Sequence, residues 1–422
     1  MFETLRNAWK IKDLRKKILY TVFMLLIYRL LCFVPTPGVN IAEVQSRMQG
    51  LDLLNFINSM TGSNLSEFTI MAMGITPYIN ASIIMQLLCV AIPKLEEMQK
   101  EGEEGRKKIA QITRYVTVGL GFLQAIALSI GLGASADATF GSYVLIGLCL
   151  AAGTAMAMWI GERITKEGIG NGISLLIMAG IIANIAVFIA DMFAKLFNFQ
   201  AIASGAVNPW IYIPIILISL VLIVAVVFVN RGERRVPVQY AKRVVGRKMY
   251  GGQSSYIPMR VDSTGVLPLI FASSIMQFPS TILSFIGGSA QEWWSSHFNV
   301  YSVLYQLIFA LLIIGFTYFY SSMTFNPTDI AKNMQENGGS IPGIRSGRPT
   351  VEYLSRISTR LCLFDGIFLA ILATIPTILG GLAHLGLPFA ASSLLIAVSV
   401  AVETATQLES ELMMRHYKGF LK

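Results

Sequence analysis

Apolar runs of about twenty residues, nearly free of charge, recur along almost the whole chain, and no other feature limits its fold so severely. A helix needs about 20 mostly apolar residues to cross the hydrocarbon core of a bilayer. Such runs fall at about 17–34, 72–92, 110–132, 141–161, 172–197, 209–230, 265–287, 301–322, 357–380 and 387–408. In lipid each backbone N–H and C=O must be satisfied inside the protein, so runs of this length fold as helices. The expectation is an all-α membrane protein with ten transmembrane helices. The second and fifth runs are interrupted by polar residues.

Composition agrees. Charged residues make up 14% of the 422, where a soluble protein carries roughly 25%. Mean hydropathy is +0.61. One membrane domain is therefore a simpler reading than several soluble ones. The basic run before Ile18 is followed by no small-residue cleavage site, so no cleaved leader is expected.

The net charge of +9 gains meaning from its placement. Of the 33 Lys and Arg residues, all but Arg29, Arg47 and Lys195 lie in the terminal segments or beside the even-numbered connections. Positive charge accumulates on the cytoplasmic side, so both termini are expected there. Two cytoplasmic connections are long, about 231–262 and 324–354, and rich in turn residues and basic side chains. Their size points to docking surfaces. The stretch within 51–71 mixes Leu, Phe and Met with Asn55, Asn58, Thr61 and Asn64. Too polar to span and too apolar for an ordinary loop, it reads as a re-entrant or plugging segment.

Several chemistries are excluded. There is no GxxxxGK[ST] phosphate loop, and Gly168-Ile-Gly-Asn-Gly172 is not GxGxxG. His297, His384 and His416 are scattered, and Cys32, Cys89, Cys149 and Cys362 form no CxxC pair. No enzyme activity and no cofactor are expected, so energy must come from a partner. Asp365 and Glu403 fall within the last two runs without an obvious partner carboxylate, and read as helix-packing or interfacial groups. Arg29 is left to snorkel or to pair. Asn80, Gln86, Gln124 and Gln277 are expected to face helix partners or a wet cavity.

Five motifs then resemble one family. Gly74-Ile-Thr-Pro-Tyr-Ile-Asn-Ala-Ser-Ile-Ile-Met-Gln-Leu-Leu88 is similar to the second-helix signature of the SecY/Sec61 family of translocation channels. Gly168–Ser174 resembles its fifth-helix start, and Gln239–Arg243 with Gly252–Ser254 its sixth-to-seventh loop. Ile341–Arg345 resembles its eighth-to-ninth loop, and Gln407–Leu412 with Arg415–Phe420 the tail of bacterial forms.

The resemblance implies two pseudo-symmetric five-helix halves, 1–200 and 201–422, around a central hourglass pore. It implies a pore ring at Ile75, Ile79, Ile173, Ile177, Ile270 and Ile396. It also implies a short plug helix within about 53–71, carrying Phe56, Met60 and Leu65. A lateral gate is implied between the second and seventh helices, with Asn80 on one side and Gln277 and Phe278 on the other. Pro77, Pro268 and Pro279 are expected to break the regularity of those two helices. Arg247, Lys248 and Arg345 are implied to dock the SecA ATPase motor and the ribosome. The family often has Arg-Arg at 247–248 and Arg-Pro-Gly at 345–347; here Lys keeps the charge but loses the planar fork. Further implied partners are the small subunits SecE and SecG, signal peptides and nascent chains, lipid, and also YidC and SecDF. The implied location is the bacterial cytoplasmic membrane. The residues agree in part: Ile75 with Ile79, and Ile173 with Ile177, share helix faces at i, i+4, and β-branched side chains are stiff at χ1. A secondary transporter of a small solute is the alternative; it requires a polar midplane site and leaves the long basic loops without a role.

Overall fold

The computed structural model describes residues 2–48, 58, 62, 64–137, 139–196, 212–240, 243–245, 248–250, 254–262, 264–286, 293–294, 297–298, 302–382 and 391–418. A short amphipathic helix, α1 (Phe2–Lys10), leads into α2 (Lys12–Leu31). Then come α3 (Ile41–Met48), α4 (Thr76–Ala91), α5 (Pro93–Lys100), α6 (Glu103–Gly131), α7 (Phe140–Glu167) and α8 (Gly172–Leu196). Next are α9 (Tyr212–Asn230), strands β1 (Glu233–Tyr240), β2 (Arg243–Val245), β3 (Lys248–Tyr250) and β4 (Ser254–Arg260), and α10 (Leu267–Ile286). The chain continues through α11 (Val303–Thr324), α12 (Pro327–Glu336), β5 (Gly339–Ser340), α13 (Arg348–Leu382) and α14 (Ala391–Lys418).

A helix overlaps each of the apolar runs, with shifted limits. α2 starts five residues before its run and α13 nine before, because these helices carry polar turns out past the apolar stretch. α4 begins late, at Thr76, since Met71–Ile75 form turns. Among the described residues, α6, α7, the helix from Val303 and α13 are each long and apolar enough to cross a membrane. α4 and α5 together make a further pair, bent by 100° at Ile92-Pro93. A proline there cannot donate to the preceding turn.

The fold is mostly helical, but the all-α expectation is corrected in the 231–262 connection. Its strands β1 and β4 form a sheet with β5 of the 324–354 connection, in the order β4-β1-β5, and β2 and β3 form a separate pair. Val236 and Val238 are buried on one face of β1 while Arg235, Pro237 and Gln239 are exposed. This period-2 alternation is the mark of a strand with one wet face.

Helix packing sets the layout. α11 lies along α13, and α6 along α7. α10 packs on α4 and α6, whereas α14 packs on α8 and α1. The large apolar core gathers α2, α4, α7, α8, α9, α10, α11, α13 and α14. A smaller one lies under residues 64–72, beside α3, α6 and α7.

Candidate functional site

The six isoleucines come from four helices. Ile75 precedes α4 and Ile79 lies on it; Ile173 and Ile177 are on α8, Ile270 on α10, Ile396 on α14. All six belong to the same apolar cluster. Ile75, Ile177, Ile270 and Ile396 are buried, and Ile79 and Ile173 pack partly buried against them. The i, i+4 spacing keeps each pair on one face; α4 packs on α10, and α8 packs on α14.

The α4–α10 seam lies beside this cluster. Asn80 of α4 is buried, and its Oδ1 has no hydrogen-bond partner. Gln277 and Phe278 lie on the α10 backbone, but their side chains are outside the described residues. The proline expectation is corrected at two positions. Pro77 and Pro268 fall in the first turns of α4 and α10, where the missing N–H costs no helical bond. Only Pro279 stands inside its helix and removes an interior donor.

Phe56 and Met60 lie outside the described residues. Leu65 is buried, in the smaller cluster with Phe68, Val44 and Ile146 rather than with the isoleucines. Residues 64–70 are bound to the end of α2: Asn64 Nδ2 donates to Cys32 Sγ at 3.1 Å. The Thr36 N–H donates to the Phe68 carbonyl at 3.2 Å, and the Ile70 N–H to the Val34 carbonyl at 2.9 Å. Gly62 has φ +78, and a Cβ there would lie 3.1 Å from Arg29 Nη1 and from Gly180 of α8. Arg29 also reaches over the Phe33 ring, 5.5 Å from its centroid. Of the amides within the runs, Gln86 Nε2 donates to Ser82 at 3.4 Å, and Gln124 Oε1 is buried without a partner.

The two long connections, read separately in the sequence, form one body. β5 joins the edge of β1, and Val236, Val238 and Met259 of the sheet pack with Met334, Ile341 and Leu354. Arg345 is exposed in the loop between β5 and α13, and its carbonyl accepts from the Thr350 hydroxyl at 2.9 Å. Gly343 and Gly347, at φ +82 and +97, flank it in a backbone region that favours glycine. Arg247 lies outside the described residues; Lys248 opens β3, its side chain likewise undescribed.

A buried acidic group was missed as a unit. Asp365 has no exposure, and its Oδ2 accepts from the Thr264 hydroxyl at 3.0 Å. The reading that it lacks a partner carboxylate is corrected: Asp262, in the turn before α10, is its electrostatic neighbour. Asp262 Oδ1 accepts from the Gly265 N–H at 2.7 Å. Burial, with Glu403 nearby, pushes Asp262 up to about 6. Sequence offered no signal, since Asp262 and Asp365 stand 103 positions apart in different elements. Among the described residues no three His, Cys, Asp or Glu side chains converge on a metal site, and the four cysteines are free thiols.

The SecY family model matches residues 69–405. The protein translocase subunit SecY of Halalkalibacterium halodurans is 42% identical over the whole of both chains. This chain belongs to the SecY family. Members of the SecY family are channel subunits, not enzymes, and the chain is a multi-pass membrane subunit of a protein translocase rather than a carrier of small solutes. The fold agrees. A solved protein-conducting channel superposes with a TM-score of 0.67 at 20% identity, covering 94% of this chain and 92% of the other. The Sec61 channel of the canine ribosome-channel complex, from the endoplasmic reticulum, gives 0.59 at 19% identity over 94% and 92%.

Proposed function

We propose that unfolded polypeptide passes through the cluster formed by Ile75, Ile79, Ile173, Ile177, Ile270 and Ile396, and that apolar helices leave sideways between α4 and α10. What supports this reading is that all six isoleucines lie in or pack against one apolar core, and that α4 and α10, far apart in sequence, pack on each other. A ring of apolar side chains can close on a moving chain and exclude ions by dewetting. The apolar core of a signal peptide gains about 0.8 kcal/mol per buried CH₂ on entering the seam. Asn80, Gln277 and Phe278 would border the opening.

The ten spans are α2, α4, α6, α7, α8, α9, α10, α11, α13 and α14, arranged as two halves, 1–200 and 201–422. Both termini lie in the cytoplasm of a bacterial cell, under the positive-inside rule. A plug within about 53–71, with Phe56, Met60 and Leu65, seals the outer side. SecE and SecG are the small membrane partners, with YidC and SecDF as accessory ones. Arg345, in the loop after the joined sheet, and Arg247 with Lys248, at the β2–β3 pair, dock SecA and the ribosome; likeness to a ribosome-bound channel supports the latter.

The test uses the complete complex in vesicles with SecA, ATP and a secretory precursor protein. Arg345→Glu is expected to abolish SecA-driven transport while the protein's thermal midpoint stays unchanged. Undiminished transport removes Arg345 from the docking surface, and failure of the native complex to move any precursor refutes the channel reading.

A further inference from the structure

Asp365 is a fully buried carboxyl on an apolar helix. One oxygen accepts from Thr264; the other, Oδ1, has no partner. A buried carboxyl satisfied on one side only is costly, so its single bond invites a functional account. Thr264 is itself buried, in the turn that starts α10. The next residue, Gly265, at φ +61, is held by Asp262 Oδ1. Just upstream the Val261 N–H donates to the Gly232 carbonyl at 2.9 Å, closing the base of the β1–β4 ribbon. The head of α10 is therefore fixed twice: covalently to the ribbon, and through Thr264 to α13.

α13 reaches in the other direction to the docking surface. It starts at Arg348, just after the loop carrying exposed Arg345, and its Leu354 is buried in the cluster shared with the sheet. Leu354 and Asp365 lie three turns apart on one helix, about 16 Å. The charged groups near the contact are Asp262, Arg260 and Glu403.

We propose that Asp365 is a positioning residue for transport: α13 acts as a rod, and the Thr264–Asp365 hydrogen bond passes movement of the docking loop to the head of α10. The proposal rests on the docking and gate reading above. It assigns the coupling to a hydrogen bond rather than to negative charge.

Thr264→Val, Thr264→Ser, Asp365→Leu and Asp365→Asn are made in the complete complex, reconstituted with SecA, ATP and a precursor. Thermal midpoint, the Kd for SecA, and the transport rate at saturating SecA are measured separately. Thr264→Val and Asp365→Leu should leave the Kd unchanged within about twofold and lower the saturated rate roughly tenfold, the weight of one buried hydrogen bond. Thr264→Ser and Asp365→Asn, which keep a donor and an acceptor, should retain most of it. Normal transport by Thr264→Val overturns the proposal. So does equal loss in Thr264→Ser and Thr264→Val, or a weaker Kd that explains the whole loss. Valine nearly matches threonine in volume, so if Asp365→Leu lowers the midpoint the Thr264 pair decides. A native complex that docks SecA but moves no precursor refutes the channel reading instead.

Discussion

Lys17 of α2 and Glu411 of α14, from opposite ends of the chain, meet as a forked ion pair, with Nζ 2.9 and 3.1 Å from the two carboxylate oxygens. Around them Ala8, Leu14, Ile169 and Leu408 are buried together. Thr21 of α2 adds a bond, its hydroxyl accepting from the Ile169 N–H at 3.0 Å. Gly170 lets the same turn approach Thr404 of α14, where a Cβ would lie 3.2 Å from the threonine side chain. Lys17→Glu and Glu411→Lys should each lower stability by about 1–2 kcal/mol, since each places like charges in a half-buried site. The double exchange should recover most of the loss. Thermal unfolding of the four proteins checks this; a double variant as weak as the singles denies the pair any role.

The seam between α4 and α10 yields a prediction about movement. With Cys32, Cys89, Cys149 and Cys362 replaced, cysteines introduced at Asn80 and Phe278 should crosslink and stop transport in vesicles. Reduction of the link should restore it. Full transport with the link quantitatively formed contradicts an opening at this seam.

Gly153 of α7 faces the backbone of Ile70, and a Cβ at 153 would overlap the Ile70 carbonyl. Gly153→Ala should therefore destabilise by about 1–3 kcal/mol, as overpacking against a fixed backbone does. Gly119 of α6 has nothing within 4 Å of its Cβ position. Gly119→Ala should be neutral or gain up to about 1 kcal/mol from lost unfolded-state freedom. Melting temperatures that move alike in both would deny that residue 70 is seated on α7.

Asp262 makes stability depend on pH with a definite sign. Burial raises it from 3.8 to about 6. Between those values the native protein holds a proton that the unfolded chain has released, so stability falls as pH rises from about 4 to 6 and is level above. Asp262→Asn removes this term of the slope. The melting temperature of native protein minus that of Asp262→Asn should decrease across that window and then stay constant; a difference independent of pH shows that the carboxyl titrates normally.

The sequence marked the helices well because lipid imposes one rule on each of them separately: enough apolar residues in a row. It singled out the isoleucines through motif and i, i+4 spacing; four are buried in the large apolar core and Ile79 and Ile173 pack against it. It misread Pro77 and Pro268, since a proline's effect depends on where the helix starts, and that limit is set by the turns before Thr76 and Leu267. The ribbon was missed, although Val236 and Val238 alternate with exposed residues, and so was its union with Ile341 and Leu354. That union depends on pairing between β1 and β5, which stand about a hundred residues apart.

By itself the sequence determined the hydrophobic runs, the segments in which the basic residues gather, and the family. Each is a local property, fixed by transfer of short segments between water and lipid or by the order of residues in a motif. Only the tertiary structure decided which polar groups meet: Lys17 with Glu411, Thr264 with Asp365, Asn64 with Cys32. A hydrogen bond acts over about 3 Å, and which side chains come that close depends on how helices distant in the chain cross.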